Sequence, residues 1–371
     1  MTYPKHLILL SLDHQILLSK MYNYGFRGSI WSWLHSYLSG RKSITTINST
    51  QSSVCSIHYS VPQGSVLGPL LFLLYINDLG FSPDLPSKPK IYADDTNVFV
   101  HGKSIAELQI KSQFTLDRVS QWVSANRLTI NIEKTHFMIF SPSFSSDDLS
   151  QFSLFLNSKA INRVSSIKFL GLIIDDELSW TLHIQSLCQY LKKHIGIFYK
   201  LRSFIPIKIL RMLYFSLIHS KILYGIENYA NNYAIRLHDL TILNNRVLRI
   251  IQNKNSRSSI LDLYRDFNTL PINKLFQFKI LAHAHALYNK SPSLPSFFYA
   301  EVMANHQVHT YSTRSQDDFH RLSISTRNGE HLSINVCSKL WNSLPASTKS
   351  LSSLTQFEKA IKIMLWEDLI I

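Results

Sequence analysis

Two adjacent carboxylates, Asp94 and Asp95, stand between the β-forming residues Ile91 and Tyr92 on one side and Val98, Phe99 and Val100 on the other. That pattern predicts a hairpin over residues 90–101 with both acids at its tip. Hard oxygen donors on a solvent-accessible strand end are what a divalent ion such as Mg²⁺ takes. Asp-Asp pairs also fill ordinary solvent-facing turns, so the pair gains meaning only from its neighbours.

Upstream, Val61-Pro62-Gln63-Gly64-Ser65 leads into Leu67-Gly68-Pro69, the start of a strongly apolar helix closed by Asn77 and Asp78. Pro69 falls in the first turn, where its missing N–H costs nothing. A glycine-bearing turn beside a helix N-terminus lets backbone approach a polyanion, although a turn buried in a core would read the same way. Downstream, Asn131 and Lys134-Thr135 lie in the strand-like alternation of residues 129–140. The lysine there could stabilise or protonate a departing pyrophosphate; a plain surface lysine is the alternative.

The elements that must position these groups are legible from periodicity. Residues 14–38 read as one or two helices with Asp13 as N-cap and Gly25 and Gly28 as breaks, and residues 43–59 as a hairpin or two short strands. Ile105, Leu108, Leu116, Val119 and Val123 mark one face of a helix. A Ser/Asp-rich loop over residues 141–150 and strands over 152–174 follow, suggesting one sheet in the first half. From Ser179 the spacing turns helical, through Ile184, Leu187, Leu191, Ile195 and Phe198, with a second helix from Pro206. The expected division is therefore residues 1–178, 179–290 and, after the Ser/Pro linker at 291–296, a small mixed unit over 291–371.

The chain has 371 residues, 45% hydrophobic and 17% charged, which suits two or three folded units and not a disordered chain. Its apolar stretches fall short of a bilayer span, and the start lacks a secretory pattern. Cys55, Cys188 and Cys337 are too scattered for a disulfide framework or a zinc knuckle, so a cytoplasmic or nuclear location is expected. His283 and His285 lack the companions a metal site needs. Lys and Arg total 38 against 24 Asp and Glu, for a net charge of +14, which implies a polyanionic partner. Residues 178–226 contain no acid but carry Lys192, Lys193, Lys200, Arg202, Lys208, Arg211 and Lys221 among aromatics. Solvated lysine faces would normally mix both signs.

In this order the segments resemble the reverse transcriptases of retrotransposons that lack long terminal repeats, the jockey-like long interspersed elements. Residues 61–69 resemble the template- and nucleotide-positioning motif, which would assign nucleotide and template contacts to Pro62, Gln63, Gly64 and Tyr92. Tyr92-Ala93-Asp94-Asp95 resembles the metal-binding motif, Asn131 to Thr135 the Lys-bearing motif, and Phe169-Leu170-Gly171 the primer grip. Leu223-Tyr224-Gly225, Thr313-Arg314 and Trp341-Asn342-Ser343-Leu344-Pro345 continue the likeness, the tail Trp and Leu reading equally as core residues.

The resemblance implies an α+β right-hand polymerase, with a palm on an antiparallel sheet and a helical thumb, catalysing RNA-templated DNA synthesis with two Mg²⁺ ions. RNA template and DNA primer would be its partners, with Lys192, Lys193, Lys200 and Arg202 on phosphates and no membrane involved. One departure stands out. Asp13-His14 followed by Ile16-Leu17 matches the end of the family's first metal-binding motif, yet the positions of its two acids hold Pro4 and Leu10. The expectation is an N-terminally truncated polymerase with an impaired site. The alternatives are rescue by another carboxylate, a partner chain or an element-encoded RNA, and a non-enzymatic RNA- or DNA-binding remnant.

Overall fold

The structure is a computed structural model that describes residues 12–57, 59–61, 64–81, 89–140, 151–231, 234–292, 294, 302–308, 316, 318–321, 329 and 332–368. Pro4, Leu10, Pro62, Gln63, Thr313, Arg314 and the 141–150 loop lie outside the described residues. The chain forms two compact units that divide between Ser165 and Ser166.

In the first unit, α1 (His14–Asn23) and α2 (Gly28–Leu38) are separate helices, split where Gly25 and Gly28 take positive φ of 95° and 58°. Asp13 caps α1: its Oδ1 accepts from the amides of Gln15 at 2.8 Å and Ile16 at 3.1 Å. The start of α1 is also tied to the strand segment after it in sequence, because the Ser60 amide donates to the Leu12 carbonyl at 2.9 Å and His14 Nε2 donates to the Ser60 carbonyl at 2.6 Å. Both helices pack with α3 (Leu67–Ile76) around Leu12, Leu17, Leu38 and Tyr75, all fully buried. The long helix α4 (Ile105–Ala125), capped by Ser104, places Leu108 and Leu116 on a second small core of Ile139, Phe152 and Leu154.

The strands are short. β1 (Lys42–Ser43) pairs with β4 (Cys55–Ser56) around the inner pair β2 (Thr46–Ile47) and β3 (Thr50–Gln51), turning at Asn48 and Ser49 with φ of 47° and 68°. Such a two-residue turn with both φ positive matches the twist of its strands. β5 (Lys90–Tyr92) pairs with β6 (Asp95–Asn97), β8 (Phe155–Leu156) with β9 (Lys159–Ala160), and β7 (His136–Phe137) runs parallel to β10 (Asn162–Arg163). In the second unit β11 (Ser166–Phe169) pairs with β12 (Leu172–Asp175).

Among the described residues these are six two-stranded ladders, and the single sheet expected from the first half is not assembled from them. Every position of β1 to β4 is exposed, so these strands present no apolar face that would recruit neighbours. Two further expectations change. Val98, Phe99 and Val100 lie outside β6, whose last pair is Lys90 with Asn97. Residues 132–134 form a 3₁₀ turn rather than a strand, because the Asn131 side chain accepts from the Lys134 amide at 3.2 Å and the Thr135 hydroxyl donates to the Asn131 carbonyl at 2.8 Å.

The second unit begins with the β11–β12 hairpin, which groups with the helices after it rather than with the residues before Ser166. α5 (Thr181–Leu201) packs along α9 (Ala234–Ile251), and α11 (Ile272–Tyr288) packs on α13 (Ser333–Asn342) and α15 (Leu354–Glu367). Between them come α6 (Ile207–Leu213), a π-helical turn over Tyr214–His219, and the short helices α7 (Ser220–Leu223), α8 (Ile226–Tyr229) and α10 (Ile260–Asp266); α12 (Asn305–Val308) and α14 (Ala346–Lys349) complete the order.

Trp341 is fully buried and Leu344 nearly so, and both share one core with Leu191, Val247 and Phe357. The described residues after 291 therefore pack into the core of the second unit. The centre of this unit also holds a polar chain: Tyr214 Oη donates to Asn244 Oδ1 at 3.1 Å, Asn244 Nδ2 donates to Tyr264 Oη at 3.1 Å, and Tyr264 Oη donates to Asn245 Oδ1 at 2.5 Å. Burial pushes both phenols up, so they remain neutral donors.

Burial holds His183 down to about 4, assisted by Lys221, and His219 down to about 4, assisted by Lys279 and Lys362. Between that value and their ordinary 6.5 the unfolded chain binds more protons than the folded one. The stability they allow is complete above pH ~6.5 and is lost as pH falls toward ~4. Urea unfolding should therefore show the second unit less stable at pH ~5 than at pH ~7 by about 2 kcal/mol for each histidine, up to about 4 kcal/mol together, and replacing both histidines by glutamine should flatten that decline.

Candidate functional site

The two-residue loop between β5 and β6 is Ala93-Asp94, with Ala93 at φ 50° and Tyr92 paired opposite Asp95. Asp94 thus sits in the turn, half-buried, and Asp95 opens the strand, exposed. Among the described residues neither carboxylate takes part in a hydrogen bond or an ion pair, so all four oxygens are available to a ligand. Tyr92 is 65% exposed beside them. Lys134 is exposed on its 3₁₀ turn, and Gly64 has φ 77° in the turn before α3, a conformation suited to glycine. Ser65 fixes the end of that turn, its Oγ accepting from the Gly68 amide at 3.0 Å.

The donor set suits one divalent ion, since Mg²⁺ is commonly held by one or two carboxylates with water and phosphate oxygens in the remaining places. It does not suit a pair of ions. Among the described residues no group of three or more His, Cys, Asp or Glu is gathered in metal-holding geometry. Asp13 is the nearest acid to the family pattern in sequence, and it is already in use. It is 3% exposed, its Oδ1 caps α1, and its Oδ2 accepts from Arg127 Nη1 at 2.5 Å. Sequence reading identified the cap but missed Arg127, which lies far along the chain just after α4.

The β11–β12 hairpin turns at Leu170 and Gly171, with φ of 44° and 89°. Its tip is fastened by Tyr224, whose hydroxyl donates to the Leu170 carbonyl. A Cβ on Gly171 would lie 3.2 Å from the Tyr224 ring, and a Cβ on Gly225, itself at φ 69°, would lie 2.8 Å from Leu172. The Phe-Leu-Gly and Leu-Tyr-Gly segments therefore dock on one another, a pairing hidden in the sequence by their separation. At the other end of the hairpin, Asp175 accepts from the amides of Ser179 at 2.6 Å and Trp180 at 2.8 Å, and His183 Nδ1 accepts from the Ile173 amide at 3.3 Å.

Lys192, Lys193 and Lys200 are exposed on α5, and Arg202 is half-buried just beyond it. Arg211 is partly committed to structure, donating to the Phe267 carbonyl at 3.0 Å. His285 is buried and donates to the Leu351 carbonyl at 2.7 Å while His283 is exposed, so these two do not converge on a ligand. No described helix is long and apolar enough to cross a membrane.

Residues 10–174 match the protein family described as reverse transcriptase (RNA-dependent DNA polymerase). The chain is 26% identical over 250 residues to the RNA-directed DNA polymerase from mobile element jockey of Drosophila melanogaster, covering 65% of this chain and 27% of that protein. It is 25% identical over 266 residues to the probable RNA-directed DNA polymerase from transposon BS of the same species, covering 69% of this chain and 29% of that protein. The probable polymerase from transposon X-element, also of that species, is 24% identical over 225 residues, or 59% of this chain and 24% of its own length. The chain thus spans less than a third of the relatives it matches, and it carries a reverse transcriptase domain similar to those of non-LTR retrotransposon polymerases.

The docked hairpin gives a direct test. Gly225→Ala should destabilise the second unit by about 2 kcal/mol, combining left-handed strain with the clash on Leu172, and Tyr224→Phe by about 1 kcal/mol; urea denaturation reads both.

Proposed function

We propose that this chain is the template- and primer-binding part of a retrotransposon reverse transcriptase, and that its own carboxylates support nucleotide addition poorly. The observation that carries this reading is the unpartnered Asp94-Asp95 pair in a reverse transcriptase domain, with Asp13 occupied by a cap and an ion pair. In this reading Asp94 and Asp95 are the metal-binding catalytic acids, and Mg²⁺ would neutralise the triphosphate there. Lys134 faces the leaving pyrophosphate as charge stabiliser or proton donor. Pro62, Gln63, Gly64 and Tyr92 contact nucleotide and template, and Phe169, Leu170 and Gly171 grip the primer.

The first unit would be the palm with part of the fingers and the second the thumb. Lys192, Lys193, Lys200 and Arg202 would bind phosphates of the template–primer duplex, giving affinity that is insensitive to sequence and falls steeply with salt. Pro4 and Leu10 stand where the resemblance puts acids, and neither side chain can ligate a metal. A partner chain supplying a carboxylate would restore the reaction. A non-enzymatic binding role is the second reading, favoured by the acid-free run of residues 178–226.

Primer extension on an RNA template, in Mg²⁺ and then Mn²⁺, tests the proposal beside an Asp94→Asn, Asp95→Asn variant. The expected result is retained duplex binding with extension at the level of the double variant. Efficient extension by the chain alone, abolished in that variant, would overturn the impairment. Absence of duplex binding would overturn the whole reading.

A further inference from the structure

The corner between α5 and α6 presents rings to solvent in an ordered setting. Phe204 is 86% exposed and Tyr199 56% exposed, while the Arg202 guanidinium lies 4.2 Å from the Tyr199 ring centroid. The corner is held from within. The Arg202 amide donates to the Phe198 carbonyl at 3.0 Å, the amides of Phe204 and Ile205 both donate to the Leu201 carbonyl at 3.0 Å, and Phe198 and Ile205 pack into the core. Pro206, at φ −59°, then starts α6. Phe204 is thus displayed by fixed backbone, and its exposure does not come from a frayed end.

The surroundings select the ligand. Lys200 and Lys208 flank the corner, Lys192 and Lys193 lie on the same helix as Tyr199, and no acid occurs from residue 178 to 226. Rings displayed among lysines on a segment that carries no acid of its own suit a ligand that is anionic along its length and flat at intervals. Paired bases are buried in their own stack, so a projecting ring finds a partner only where bases are unpaired.

We propose that Tyr199, Arg202 and Phe204 form a stacking contact for unpaired bases of a single-stranded polynucleotide. The proposal rests on the polynucleotide-binding reading above and adds to it a preference for single strands. Phe204 supplies a free face, and Arg202 over Tyr199 supplies a second platform on which charge and stacking act together. Lysines on phosphate contribute the salt-dependent part of affinity and the rings a salt-independent part.

Fluorescence anisotropy of the full chain with labelled oligo-U, oligo-dT and a duplex, each of about 20 nucleotides per strand, separates these parts. Phe204→Ala should weaken single-strand binding about tenfold and duplex binding less than about twofold, with the salt slope unchanged, and Phe204→Trp should restore it. Lys192→Ala with Lys193→Ala should weaken both classes and shallow the salt slope by about 1.8 for a DNA duplex and about 1.4 for the single strands. Comparison of oligo-U with oligo-dT reports whether RNA or DNA is preferred.

The inference is overturned if Phe204→Ala leaves single-strand affinity unchanged, or lowers single-strand and duplex affinity equally while the variant remains folded by circular dichroism. It is likewise overturned if light scattering shows a self-association that Phe204→Ala abolishes, since the ring would then belong to a second copy of this chain. Failure of every form to bind any polynucleotide would instead remove the underlying reading.

Discussion

Asp13 ties three separate segments of the first unit together. One oxygen closes the N-terminus of α1 and the other meets Arg127, while the backbone beside it pairs with Tyr59 and Ser60. Helix start, hairpin end and the chain leaving α4 are thus fixed by a residue that is almost wholly buried. A carboxylate committed in this way cannot leave for a metal without exposing two amides and a guanidinium to loss of their partner. In the proposed reading Asp94 and Asp95 must therefore act without Asp13.

The second unit is organised by a different device. Its hairpin tip is closed on Tyr224 and Gly225, and its far end is held by Asp175 and by His183, which must stay neutral to accept from a backbone amide. The helices behind it share a core that extends to Trp341 and Phe357. Positive charge is kept on α5 and at the corner beyond it, within a run of residues 178–226 that has no acid of its own. Exposed lysines and packing core are in this way separated onto opposite sides of the same helix, since Leu187, Leu191 and Phe198 face inward while Lys192, Lys193 and Lys200 face solvent.

Much of this was legible in the sequence because it depends on local rules. The Asp13 cap, the helix break at Gly25, the start of α6 at Pro206 and the hairpin turn at Asp94, though not the place of Asp95 in the strand after it, each follow from residues within a few positions. What was not legible depends on distant partners. Arg127 carries no local sign that it meets Asp13, and Tyr224 none that it meets Leu170. The strand reading of residues 129–140 holds at His136–Phe137 but gives way at 132–134, where the Asn131 side chain competes for backbone amides, a local signal that alternation obscured. The apolar run Val98 to Val100 likewise suggested a longer strand than the pairing with Lys90 to Tyr92 can supply. The separate C-terminal unit failed because a Ser/Pro-rich stretch marks a connection without showing that the helices after it bury Trp341 in the preceding core.

In the proposed reading Asp94 and Asp95 make one divalent-ion position, since no group of three metal-holding side chains is gathered among the described residues. Titration with Mn²⁺ in the presence of a nucleoside triphosphate and template–primer, with bound ion counted by electron paramagnetic resonance, tests it most directly. One protein-dependent ion per chain is expected, lost in Asp94→Asn, Asp95→Asn and retained in Asp13→Asn. Two protein-dependent ions in the unaltered chain, or loss of an ion in Asp13→Asn with the fold intact, would contradict it.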